Sequence, residues 1–492
     1  MAAVPVFGVA LVLYVRTLLP DVGMWDTAEF QTIGSVLGIA HPTGYPTYTL
    51  LAWLASVLLA PFGNEAFRAD LLSALLMAGA AALLAVRTVQ ATNRWPIGLL
   101  AGISFSLTPV AWHWGQRADP HALHVFFAAL LLVLLAAWAE ASERAPRRAA
   151  GWLLAAAVVY GLSLGNHALT LLLAPGIAVY VLLVAPRMLW QRWRLVLASA
   201  GAMALTTALV YLYLPLRSSM DPPLDYADPD TWDAFWYLVL GEQFQGSFGP
   251  LPTLGDILTG VEAELTGAFG VAWVLAIAGA ILSLIRHPRL GALTLLWFGC
   301  TWLFAIGYPN AAIERYFLVP LLVAALWLSL AADVAWDALG RLRRRADGVV
   351  VVRVAQGALL AVLLLAAVIP AAGRYDDLDA SRDGWGREVL EATFTALEPD
   401  AVVLSWWSYS TTLWYGRWVE GRRDDVTIID DRDVLDDGFG TVEAAIERFL
   451  GVRPLYLIRL ERDLEALRAR YELEPVAGVP YDLQRVISRK AE

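Results

Sequence analysis

Residues 23–61, GMWDTAEFQTIGSVLGIAHPTGYPTYTLLAWLASVLLAP, decide how this chain is to be folded. The last part, TYTLLAWLASVLLAP (47–61), is apolar throughout, with Pro46 before it and Pro61 at its end. As a helix it would reach about 22 Å, short of a hydrocarbon layer of roughly 30 Å. Prolines in those positions mark a helix start and a stop. If the run crossed a bilayer, the next arginine-rich connection would fall on the opposite side from the N-terminus. We therefore read it as a helix lying at the membrane surface, which makes residues 20–67 one long outer loop.

The rest of the chain supplies the membrane. Of 492 residues, 58% are apolar and 17% charged, against about 45–50% and 25% in soluble domains. The excess is concentrated in runs such as LLSALLMAGAAALLAV, ALHVFFAALLLVLLAAW and GALLAVLLLAAVIPAA. Cytoplasmic loops are enriched in Lys and Arg. Five arginine-bearing connections stand out: 87–94, 144–148, 187–194, 286–289 and the GRLRRRADG run with Arg341, Arg343, Arg344 and Arg345. With 47–61 kept out of the count, all five face one side. The expectation is a polytopic α-helical membrane protein of about eleven spans, beginning near residues 2, 68, 95, 121, 150, 168, 195, 267, 290, 315 and 351. The N-terminal segment reads as a retained first span.

Residues 1–372 form the membrane domain on this reading, with a second long outer segment over 215–265. From 373 to 492 the chain turns polar. AVVLSWW, DVTIID and PLYLIRL read as strands alternating with helical stretches at 408–420, 441–450 and 460–471, the pattern of a small α/β domain. A net charge of −10 and the lack of a basic patch give no support for nucleic acid. Cys300, alone, supports neither a disulfide framework nor a cysteine metal site.

The chemistry-bearing residues collect on the outer side. Asp26 and Glu29, three apart, share one face of a helix. They read either as a helix cap with its acidic first turn or as functional acids held near membrane depth, where a carboxylate is costly. Trp25 anchors the loop at the interface. The HPTGYP turn would bring His41 and Tyr45 beside the acids. Arg117, Arg217 and Arg315 each sit at an outer span end, placed to grip a phosphate through a forked pair of hydrogen bonds, or else to snorkel or pair with Asp119, Asp221 or Glu314. His121, Asn166, His167, Glu314 and Tyr316 read as polar lining of a cavity. His121 and His124 come closest to a ligand pair but lack a metal motif; no cofactor is required, and a divalent metal is not favoured.

The stretches WDTAEF, GIAHPTGYPTYTLLAWLA, GLSLGNHALTLLLAP, YLYLPLRS and ERYFLVP resemble a bacterial membrane family, domain of unknown function 2723, related to animal protein O-mannosyltransferases. The resemblance implies the GT-C fold, a helical bundle whose long first outer loop bears a catalytic acid. It implies a glycosyltransferase that moves a sugar, a mannose-like hexose, from a polyprenyl-phosphate donor. The acceptor would be a hydroxyl of protein Ser or Thr, or of a glycan, outside the cytoplasmic membrane. The family's first-loop acid falls on Asp26 and its second on Glu29. Asp26 is then the general base of an inverting transfer, and the outer arginines neutralise the phosphate. A transporter or lipid-linked-sugar flippase is the competing reading, although no internal repeat of the transporter kind is visible.

Overall fold

Each apolar run becomes a helix, because backbone polar groups in hydrocarbon must be satisfied within their own segment. The computed structural model describes residues 1–250, 252–310, 312–342, 349–432 and 438–490; Arg343, Arg344 and Arg345 lie outside them. Among the described residues, seven helices are long and apolar enough to cross a bilayer: Glu65–Thr92, Pro120–Arg144, Trp193–Ser218, Leu254–Arg286, Pro288–Ile306, Ile313–Arg341 and Val350–Gly373. Shorter apolar helices occupy the other four expected positions, at Ala3–Arg16, Trp95–Ser106, Arg148–Leu164 and Ala168–Val184. The chain is a multi-pass membrane protein.

We name the first four helices α1 (Ala3–Arg16), α2 (Trp25–Val36), α3 (Pro46–Leu58) and α4 (Glu65–Thr92). Buried Ala74, Ala78, Ala81 and Ala85 line one side of α4, which packs between α1 and Pro120–Arg144. Lipid tails are as apolar as leucine, so helices in a bilayer associate through close packing of small residues. None of the apolar window of Trp193–Ser218 is buried, so that helix presents itself to lipid. At the arginine-rich end, Arg94 pairs with Asp337 at 2.7 Å, Arg286 with Asp337 at 3.3 Å and Arg289 with Glu143 at 3.1 Å. The arginines of two connections predicted to share a side, 87–94 and 286–289, therefore pair with acids near the ends of Pro120–Arg144 and Ile313–Arg341 that lead into two others.

α3 is short, 13 residues, and two-faced. Tyr48, Thr49, Ala52 and Ala55 are buried, while Leu50, Trp53, Leu54, Val57 and Leu58 are exposed. One face thus packs on the protein and the other presents an apolar surface outward.

The C-terminal region forms a five-stranded sheet in the order β2-β1-β3-β5-β4. β1 (Val402–Leu404), β2 (Thr427–Ile429) and β3 (Leu455–Ile458) are the three expected strands and run parallel. β4 (Tyr471–Pro475) and β5 (Leu483–Arg489) add an antiparallel pair. Their alternating charges, in YELEP and LQRVISR, are those of strands with one wet face, which short apolar runs do not reveal.

This domain is seated on the first loop. A side chain at Gly386 would place its Cβ 2.2 Å from the Val22 carbonyl oxygen, so only glycine allows the approach. Arg387 pairs with Asp21 at 2.7 Å and also bonds Glu420. The Tyr415 hydroxyl accepts the Ala66 N–H at 3.1 Å, and Thr412 donates to the Gly23 carbonyl at 2.8 Å.

Candidate active site

α2 starts without a side-chain cap: Met24 occupies the N-cap and makes no such bond. Asp26 therefore does not cap the helix, which corrects one of the two readings of the acidic pair. Its carboxylate instead takes two donors, one cationic and one neutral, from remote parts of the chain. Arg315 donates to Oδ2 at 2.7 Å and the Trp407 indole N–H to Oδ1 at 2.8 Å. Burial by itself would raise the Asp26 carboxyl pKa. The Arg315 and His41 charges outweigh it and hold the group well below the usual carboxylate range.

Arg315 is almost fully buried and donates its other arm to Asp119 Oδ2 at 2.9 Å. Asp119 in turn accepts from His121 Nδ1 at 2.8 Å. It caps Pro120–Arg144 through the His121 backbone N–H, and its pKa is lowered, burial opposing and the His121 and Arg315 charges prevailing. One chain of polar contacts thus runs Asp26, Arg315, Asp119, His121. Of the acids expected as arginine partners, Asp119 is the one Arg315 takes, and its second is the half-buried Asp26.

Glu29 is fully buried and bonds the His41 backbone N–H at 2.8 Å and the His41 Nδ1. Burial lowers the His41 pKa, but the Glu29 and Asp26 charges raise it by more, and the net shift is upward. The His41 Nε2 lies 3.2 Å from the Tyr45 hydroxyl, which also donates to the Pro42 carbonyl at 3.1 Å. The HPTGYP turn does place His41 and Tyr45 beside the acids. Gly44, at φ 82°, supplies the left-handed residue that the turn requires.

These side chains surround a cavity of about 1090 Å³. Asp26, Trp25, His41, Tyr45, Arg117, His167, Glu314, Arg315 and Tyr316 all line it. Four predicted site residues stand back from it. Glu29 lies behind His41, and His121 behind Tyr316, whose ring it stacks on at 5.1 Å. Asn166 donates to the Pro120 carbonyl at 3.0 Å. Arg217 donates to the Leu37 and Val36 carbonyls at 2.7 and 3.2 Å, completing the C-terminal end of α2. It is a structural cap, not a wall of the cavity. Arg117 turns toward the His113 ring, 2.8 Å from Nδ1, and lies 3.9 Å from Asp383.

Tyr226, Trp406, Trp407 and Arg432 also line the cavity and were not singled out from sequence. A tryptophan pair in an otherwise polar tail, SWWSYS, was the available signal for two of them. The ligand atoms of Asp26, Glu29 and His41 lie within 4.8 Å of one another and could hold a metal ion. Each carboxylate already receives two donors, however, so an ion would have to displace existing bonds.

Residues 26–190 match the family model described as the protein O-mannosyl-transferase TMEM260 N-terminal domain. The mouse protein O-mannosyl-transferase TMEM260 is 34% identical over 228 residues, which is 44% of this chain and 30% of that protein. The Dictyostelium discoideum protein of the same name is 24% identical over 124 residues, 25% of this chain and 15% of that one. The chain thus covers less than a third of either relative's length. The fold of ArnT from Cupriavidus metallidurans, solved bound to undecaprenyl phosphate, superposes over 98% of this chain and 97% of its own, with a TM-score of 0.63 at 13% identity. The chain has the GT-C fold, and over residues 26–190 it is similar to the protein O-mannosyl-transferase TMEM260 N-terminal domain. The archaeal oligosaccharyltransferase AglB from Archaeoglobus fulgidus, in complex with an inhibitory peptide and a dolichol-phosphate, shares that fold at a TM-score of 0.56 and 14% identity, over 92% of this chain and 69% of its own. The likeness to TMEM260 takes in the first loop, where Asp26, Glu29, His41 and Tyr45 lie.

Proposed function

We propose that the chain is a membrane glycosyltransferase that moves a sugar, a mannose-like hexose, from a polyprenyl-phosphate donor to a hydroxyl, that of a protein Ser or Thr side chain. The observation that carries this reading is Asp26, held ionised by Arg315 and Trp407 in the wall of a large cavity at one end of a membrane bundle. The TMEM260 likeness of residues 26–190 and the lipid phosphates bound in the two GT-C neighbours support the donor class.

In the reaction, the acceptor hydroxyl attacks the anomeric carbon from the face opposite the phosphate, so configuration inverts. The carbon–oxygen bond to phosphate breaks, and polyprenyl phosphate departs. The acceptor proton passes to Asp26, each of whose oxygens retains lone-pair capacity beyond the bond it already accepts. A carboxylate of depressed pKa is a weak base. It suffices where bond breaking to the leaving group runs ahead and makes the attacking hydroxyl acidic. Glu29 acts through His41, fixing the ring that faces Asp26 and Tyr45. Of the arginines expected at the phosphate, Arg315 serves the carboxylates, and Arg117 remains at the cavity wall. The site and the sheet domain lie on the extracytoplasmic face of the cytoplasmic membrane, opposite the arginine-rich end, as the positive-inside rule directs.

The test is to incubate the purified protein with a panel of polyprenyl-phosphate hexoses and a Ser/Thr-rich acceptor, following release of polyprenyl phosphate. Sugar-dependent release that Asp26→Asn abolishes is the expected result. Transport of the lipid-linked sugar across vesicles, unaffected by Asp26→Asn and without release, would instead establish the flippase.

A further inference from the structure

Charge at the cavity does not balance for a phosphate. Asp26, Glu29 and Asp119 form a cluster of three carboxylates, against Arg315 and, when protonated, His41. Arg315 donates one arm to each of two carboxylates and is oversubscribed. An anionic donor entering this cluster meets net negative charge and needs a cation of its own.

Arg432 of the sheet domain meets that need. Its guanidinium carbon lies 3.2 Å from the Tyr226 ring centroid and 4.4 Å from that of Trp407. The two rings stand at 71° to one another, so the guanidinium is nested in an aromatic corner. Stacking of this kind holds a cation by its face and leaves the N–H edge directed outward. Among the described residues its ion pair is a long one, Nε to Asp430 Oδ1 at 3.5 Å. The Trp407 indole that flanks it is the same one that donates to Asp26 Oδ1 at 2.8 Å. A single aromatic ring therefore separates the cation from the proposed base, in the same cavity wall. Arg117 is the less suited candidate, turned onto His113 and near Asp383.

We propose that Arg432 is the contact for the phosphate of the lipid-linked donor, so that the C-terminal domain supplies half of the donor site. This rests on the glycosyltransferase reading above. It also gives the sheet domain a reason to be seated on the first loop: Trp407 and Arg432 are delivered together.

The experiment measures binding of polyprenyl monophosphate and of the uncharged polyprenol to the full-length protein in nanodiscs, for wild type, Arg432→Gln and Arg432→Lys. Wild type should prefer the phosphate by about tenfold or more, the worth of one charge-assisted contact. Arg432→Gln should remove that preference while leaving polyprenol affinity unchanged, and Arg432→Lys should restore part of it. Unchanged polyprenol affinity certifies the fold of each variant. If Arg432→Gln keeps the full preference, the Arg432 assignment falls while the donor class stands. If wild type itself shows no preference for the phosphate, the donor reading falls and Arg432 with it.

Discussion

Asp26 is the residue on which the chemistry turns, and its surroundings make quantitative demands. Replacing it with Asn preserves size and both hydrogen bonds in part but removes the proton acceptor. Transfer should fall by about 10²–10⁴-fold with membrane insertion unchanged, checked by turnover against protein recovered in membranes. Since its pKa is depressed, the stabilising charge is present above the unfolded value near 3.9 and is lost only as pH falls through the lower folded value. Loss of rate between pH 7 and 5 should therefore not come from Asp26. His41 behaves in the opposite sense. Its pKa is raised by Glu29 and Asp26, so the stability it contributes is complete below about 6.5 and fades as pH rises through its folded value. The difference in Tm between wild type and His41→Gln should be largest at mildly acid pH and shrink toward alkaline pH. Equal differences at pH 5.5 and 9 would remove the Glu29–His41 ion pair from the account.

Among elements, the seat of the sheet domain on the first loop is the contact that matters. Trp407 reaches Asp26 only because Gly386 lets the domain approach Val22 and because Arg387 ties Asp21 to Glu420. Trp407→Phe keeps an aromatic side chain and removes the donated N–H. Losing one hydrogen bond to a charged group costs about 1.5–3 kcal/mol, so turnover should drop roughly ten- to hundredfold, measured as kcat. Gly386→Ala forces the Val22 carbonyl away and should release the domain, read as faster proteolysis between residues 373 and 402. An intact seat in that variant would show that the close approach is not required.

At the scale of the whole molecule, the membrane decides what each surface means. α3 exposes Leu50, Trp53, Leu54, Val57 and Leu58 on one side, and we propose that it lies in the plane of the interface. Nitroxide labels at Leu50 and Leu58 should then report nearly equal depths. A crossing helix would separate them by about 12 Å along the bilayer normal.

The sequence alone determined a great deal here. Hydrophobic runs of bilayer length leave a chain no option but helices, and the spacing of arginines located their connections. The signals near the first loop were also local: Asp26, the HPTGYP turn and the two residues it delivers, His41 and Tyr45, are neighbours in the chain. Tertiary structure decided the partners. Arg315 sits 289 positions from Asp26 and Trp407 sits 381 away, and nothing local distinguishes Arg315, which bridges two acids, from Arg217, which caps α2. An arginine at a span end is satisfied by whatever acceptors packing brings within about 3 Å. That choice is made by helix and domain contacts between distant segments, not by the residues on either side.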